Sequence, residues 1–161
     1  MVQDRYQWLV DMEEIKQLKA RYYRFNDTQD WQAFRSVFTD DVCYDSGTQV
    51  LHGADRVAST FAAGLAGGKT AHIAGLPEIT LTGPDTATGI WAFRDYVQVA
   101  GGANAPVGFH GYGHEHDEYV RTADGWKIKR VVITRVRIDP LDGGLPDSFQ
   151  RVAEDPVRPL Q

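Results

Sequence analysis

The chain has 161 residues, 42% hydrophobic and 24% charged, which suits one soluble domain around a single core. A net charge of −5 without any run of Lys or Arg argues against a nucleic-acid partner. The polar start Met1-Val2-Gln3-Asp4-Arg5 is not a signal segment, no apolar run is long enough to span a membrane, and the single Cys43 fits a reducing compartment. The expectation is a cytoplasmic protein.

From about Tyr6 to Asn26, Trp8, Met12, Ile15, Leu18, Tyr22 and Phe25 recur at spacings of three and four, predicting an amphipathic helix. Glu13, Glu14, Lys16 and Lys19 fall on its expected solvent side, and Asp27 just past its end. Asp30 is the expected N-cap of a second short helix with Trp31, Phe34, Val37 and Phe38 inward, broken at Thr39-Asp40-Asp41. A short strand follows at Val42 to Asp45, ended by the Ser46-Gly47 turn. Leu51-His52-Gly53 leads into a third helix over 54–66, closed by Gly67-Gly68.

Beyond this the period changes to alternation, predicting strands over 70–82, 86–99, 107–121 and 126–138. Turns are expected at Gly83-Pro84-Asp85, Ala100-Gly101-Gly102 and Ala123-Asp124-Gly125. Helices first and long antiparallel strands afterwards make the fold class α+β, a curved sheet whose helices close a cone-shaped cavity suited to a small ligand. Residues 1–140 form the domain, and the Pro-, Gly- and Asp-rich stretch 141–161 is a tail over the surface or a neighbouring subunit.

His72 carries a side chain suited to proton transfer near neutrality, and Asp27 and Tyr22 are the groups most able to support it. A carboxylate on one ring nitrogen would fix the tautomer of His72, and a phenol would stabilise a developing enolate. Tyr44 is a second candidate phenol, whereas Tyr23, about 100° round the helix from Tyr22, is expected outside the pocket. His110, Tyr112, His114, His116 and Glu118 share one strand face, either lining the cavity or forming an outer or intersubunit surface. Arg135 is a candidate for binding an anionic or carbonyl oxygen, or a solvated strand residue. His114-Glu115-His116 lacks the following glutamate that a metal motif of the cupin type needs, so no metal is expected, and Cys43 reads as a small core residue.

Three phrases resemble the nuclear-transport-factor-2-like superfamily, with its SnoaL-like domain. They are Ala20-Arg21-Tyr22 running to Asp27-Thr28-Gln29-Asp30-Trp31, Phe38-Thr39-Asp40-Asp41-Val42 with Leu51-His52-Gly53, and Glu118-Tyr119-Val120-Arg121 with Asp124-Gly125-Trp126-Lys127-Ile128. The resemblance covers roughly residues 8–138 and is specific for fold rather than chemistry. Within it the chain looks most like the scytalone-dehydratase and bile-acid-dehydratase group. That likeness implies Asp27 and His72 as the catalytic pair, Tyr22 as its phenol, and a second histidine on a later strand, His110 or His114. Asn26 stands where scytalone dehydratase has a tyrosine. The base of the ketosteroid-isomerase branch would fall at Ser46, and Asp45, one place away, faces the other side of its strand.

The resemblance thus implies a cofactor-independent lyase acting on a small hydrophobic cyclic or polyketide-like substrate, with His72, Asp27 and Tyr22 catalytic and Tyr44, His110, His114 and Arg135 around the substrate. An isomerase or cyclase in the same pocket is the enzymatic alternative. A non-catalytic subunit like the β subunit of ring-hydroxylating dioxygenases is the other. A homo-oligomer is implied, a trimer before a dimer.

Overall fold

In the computed structural model, which describes residues 2–101 and 105–150, the N-terminal apolar stripe forms a helix, α1 (Val2–Asp27). Its buried side carries Asp11, Ile15, Leu18, Lys19, Tyr22, Tyr23 and Asn26. Two expectations need correction: Trp8 is exposed, and Lys19, assigned to solvent, is fully buried. Lys19 stays inside because Glu115 and Asp117 meet its ammonium across the core, an arrangement no local pattern in α1 announces. Asp27 is the last residue of the helix rather than the first beyond it.

The second helix, α2 (Trp31–Ser36), starts where Asp30 accepts the Ala33 N–H at 3.1 Å. Thr39-Asp40-Asp41, expected as a break, lies within strand β1 (Phe38–Asp45). Residues read as a lead-in to the third helix form β2 (Val50–His52), a three-residue strand too short to show a period. Then come α3 (Ala54–Gly64), β3 (Lys69–Gly83), β4 (Thr86–Gln98), β5 (Gly108–Thr122) and β6 (Gly125–Pro140).

The strands form one six-stranded sheet in the order β2-β1-β6-β5-β4-β3, antiparallel except for β1 against β6. The sheet is curved and open, and the helices cover its inner face, which is the α+β arrangement expected. Aromatic side chains of α1, α2 and α3 (Tyr22, Phe34, Phe61) pack with Phe38 and Tyr44 of β1 into the core.

Irregularities in the long strands decide what faces in. On β6, Arg135 pairs with Gly113 and Arg137 with Tyr112, so a bulge places Val136 at the surface. Without it Arg135 and Arg137 would share a face; with it Arg135 is buried and Arg137 exposed. A matching shift in β3 leaves Leu76 94% exposed on the outer side.

After β6, Leu141 bridges to Gly144 and a 3-10 turn spans Asp147–Phe149. The Phe149 ring packs on Phe109, with centroids 4.4 Å apart. The rest of the expected tail, 151–161, lies outside the described residues. Among those described, no helix is long and apolar enough to cross a membrane.

Candidate active site

A cavity of about 310 Å³ lies between the inner face of the sheet and α3. Phe61, Phe93, Val97, Phe109 and Ile133 give it apolar walls, and the segment after β6 contributes Pro146, Ser148 and Phe149. The polar groups in the wall include Asn26, Tyr44, His72, Asp95, Glu115 and Arg135.

His72 and Asp27 meet because the end of α1 is fastened to the start of β3. Gln29 ends the helix in a left-handed conformation (φ 55°), and its side-chain amide donates to the carbonyls of Leu65 and Gly68. Asp27 thereby reaches the first inward positions of β3 and accepts three hydrogen bonds. They come from Thr70 Oγ1 (2.8 Å), the His72 backbone N–H (2.9 Å) and His72 Nδ1 (2.6 Å). Burial raises the Asp27 carboxyl, but the bonds from His72 and Thr70 outweigh it and hold the group below its ordinary value. An ionised Asp27 accepts only, so His72 Nδ1 carries a proton and donates it to the carboxylate. Tyr23 is not part of the cavity wall, yet its ring lies nearly parallel to that of His72 at 5.6 Å and backs the imidazole.

Tyr22 and Tyr44 are joined, with hydroxyls 2.8 Å apart. Tyr44 lines the cavity, but Tyr22, expected to reach substrate, lies behind it in the core, because Asn26, one turn further along α1, takes the wall position. Burial keeps both phenols protonated, their pKa raised well above the usual tyrosine value.

Arg135 reaches the cavity wall, and its charge is already committed. Nη1 and Nη2 bind the two oxygens of Asp95 at 2.7 and 2.8 Å, while Nε is buried without a partner among the described residues. The guanidinium also lies over Phe93 and Phe109. Gly111 makes room for the pair, since a Cβ there would overlap Asp95 Oδ1 and Arg135 Nη1.

His110 and His114 do not enter the cavity. Glu115, Asp117 and Tyr119 face inward on β5, so the even-numbered face carrying His110, Tyr112, His114, His116 and Glu118 is the outer one. The same alternation separates Glu115 from His114 and His116, and among the described residues no group of three His, Cys, Asp or Glu is arranged to hold a metal ion. Ser46 lines the cavity, and Asp45 turns aside to accept the Gly47 N–H.

Sequence reasoning missed Asp95, Glu115 and the buried Lys19. Asp95 had no usable signal: counted from the Gly83-Pro84-Asp85 turn, His72 would face Val97, and only two register shifts along β3–β4 bring Asp95 opposite it.

The sequence model of the SnoaL-like domain matches residues 7–132. The chain belongs to the SnoaL-like family. This SnoaL-like domain is similar to an NTF2-like protein with a cystatin-like fold from Novosphingobium aromaticivorans, with 26% identity, 84% of this chain and 88% of that chain covered, and a TM-score of 0.69. It is also similar to a candidate scytalone dehydratase from the same organism (17% identity, 81% and 87% covered, TM-score 0.70). A type 2 hexachlorocyclohexane dehydrochlorinase matches at 17% identity, with 89% and 95% covered and a TM-score of 0.71. At 17% identity the likeness to those two is one of fold.

Proposed function

We propose that this SnoaL-like domain is a cofactor-independent lyase that dehydrates, or otherwise β-eliminates from, a small hydrophobic cyclic or polyketide-like substrate. The contact between Asp27 and His72 at the wall of an apolar cavity carries this reading. His72 Nε2 takes the proton α to a substrate carbonyl while Asp27 holds the imidazolium that forms. Tyr44, oriented by Tyr22, donates to the carbonyl oxygen as charge develops there. The enolate then expels the β-hydroxyl, which leaves as water with the proton His72 carries.

The fold likeness to a candidate dehydratase and to a dehydrochlorinase agrees with an elimination. An Asp–His pair beside an open cavity favours catalysis over a purely assembling subunit. We also infer a homo-oligomer, trimer before dimer, supported by Ile73, Leu76 and Val136 exposed on the outer side of the sheet. Light scattering giving the mass of a single chain overturns that inference.

The lyase reading is tested with His72→Gln on a panel of cyclic β-hydroxyketones, following the absorbance of the conjugated enone. Wild-type protein is expected to turn over at least one, and the variant to lose that turnover by about 10²-fold or more. Turnover retained in the variant overturns the assignment.

A further inference from the structure

Elimination by His72 makes no use of the buried charges elsewhere in the cavity wall. Glu115, two inward positions along β5 from Gly111, lines the cavity and is 1% exposed. Behind it Lys19 donates to Glu115 Oε2 and, at 2.6 Å, to Asp117 Oδ2, which also accepts from the Tyr119 hydroxyl. A fully buried ammonium thus holds Glu115 in place as an acceptor.

The charges do not balance. Among the described residues, Arg135 in this wall and Lys19 behind it are the buried cations, against the carboxylates of Glu115 and Asp95 in the wall and Asp117 behind it. Arg135 is bound through both terminal nitrogens to Asp95, which neutralises its charge and leaves, among the described residues, only its Nε without a partner. Burial, opposed by Lys19 and assisted by Glu115, pushes Asp117 up to about 6, so at neutral pH the negative excess stands. A second, independent feature points the same way. Asn26, 1% exposed and in the cavity wall, has its Oδ1 without a partner among the described residues.

We infer that Glu115 is a specificity-determining residue whose carboxylate takes a hydrogen bond from an alcohol or phenol hydroxyl of the ligand, and that the cavity rejects a carboxylate of the same shape although it contains an arginine. Asn26 offers a second acceptor to such a ligand. The inference rests on the cavity being the ligand site, as in the lyase reading, but not on the chemical step.

Three 2-substituted naphthalenes separate the alternatives: 2-naphthol, 2-methoxynaphthalene and 2-naphthoate, titrated calorimetrically into the full chain at pH 7.5. Wild-type protein is expected to bind 2-naphthol at least about ten-fold more tightly than either of the others. Glu115→Gln is expected to abolish most of that preference and to ease binding of 2-naphthoate. Asp117→Asn, which removes a charge that does not line the cavity, keeps the preference for naphthol over the methyl ether. If Glu115→Gln does not fold, Lys19→Met with Glu115→Leu and Asp117→Asn removes the buried charges as a unit and serves in its place. Naphthoate or the ether binding wild type as tightly as naphthol overturns the inference, as does an unchanged ranking in the Glu115 variants or no binding by any probe. The ranking is read by binding to the wild-type and Glu115 proteins and needs no turnover, so loss of the lyase reading and loss of this one are told apart.

Discussion

His72 and Asp95 stand directly opposite each other in the β3–β4 ladder, both on the inner face of the sheet. Two carboxylates with different duties thus neighbour His72, one at its ring and one across the ladder. Asp27 binds its ring, and Asp95 is engaged with both terminal nitrogens of Arg135. With Arg135 paired, His72 stands opposite an ion pair rather than a free guanidinium.

Breaking that pair from one side is expected to be costly. Arg135→Met leaves Asp95 buried without its partner and should destabilise by about 3–5 kcal/mol, whereas Arg135→Met with Asp95→Leu should be near neutral. Urea denaturation of the three proteins checks this, and additive losses in the double variant count against it.

Gly111→Ala tests the same pair from the backbone. Its Cβ would overlap Asp95 Oδ1 and Arg135 Nη1, so the ion pair has to move. A loss of about 1–3 kcal/mol is expected, together with altered turnover from the displaced wall, and a variant as stable and as active as wild type contradicts it.

The helices and the long strands were legible because they rest on local signals, periodicity and turn residues, whereas the pairing of Asp27 with His72, 45 residues apart, came from the resemblance. The inner face of β5 was not legible. Residues 114–118 are polar on both faces, Glu115 and Asp117 inward and His114, His116 and Glu118 outward, so hydrophobic alternation gives no direction there. Lys19 looked solvated because its carboxylates lie 96 and 98 residues away. Only strand register reveals such partners, and the bulge at Val136 shows how one inserted residue resets it.

Asp27→Asn should lower turnover by about 10²–10⁴-fold, because the amide no longer fixes the His72 tautomer or stabilises its charged form. An amide nitrogen also cannot accept from Thr70 or the His72 N–H, so about 1–3 kcal/mol of stability is expected to go with it. The wild-type carboxyl is held below its ordinary value, so its contribution is present above the unfolded value near 4 and is lost as pH falls through the folded one. Thermal melts from pH 2 to 6 should show a larger acid-side loss in wild type than in the variant, which keeps the loss due to other lowered carboxyls such as Asp11.

Asp117 should act in the opposite sense. Its carboxyl titrates near 4 in an unfolded chain, and burial, against the pull of Lys19 and with the push of Glu115, raises it to about 6 in the fold. Between those values the folded protein holds a proton that the unfolded chain has released. Its contribution is therefore full below pH 4 and is lost as pH rises through about 6. Asp117→Asn cannot ionise, so it should gain about 1–3 kcal/mol on wild type between pH 4.5 and 7.5. Lys19 keeps Glu115 as its counterion in the variant, which limits the cost of losing Asp117 at either pH. Urea midpoints at the two pH values decide it, and parallel losses in both proteins would place the proton elsewhere than on Asp117.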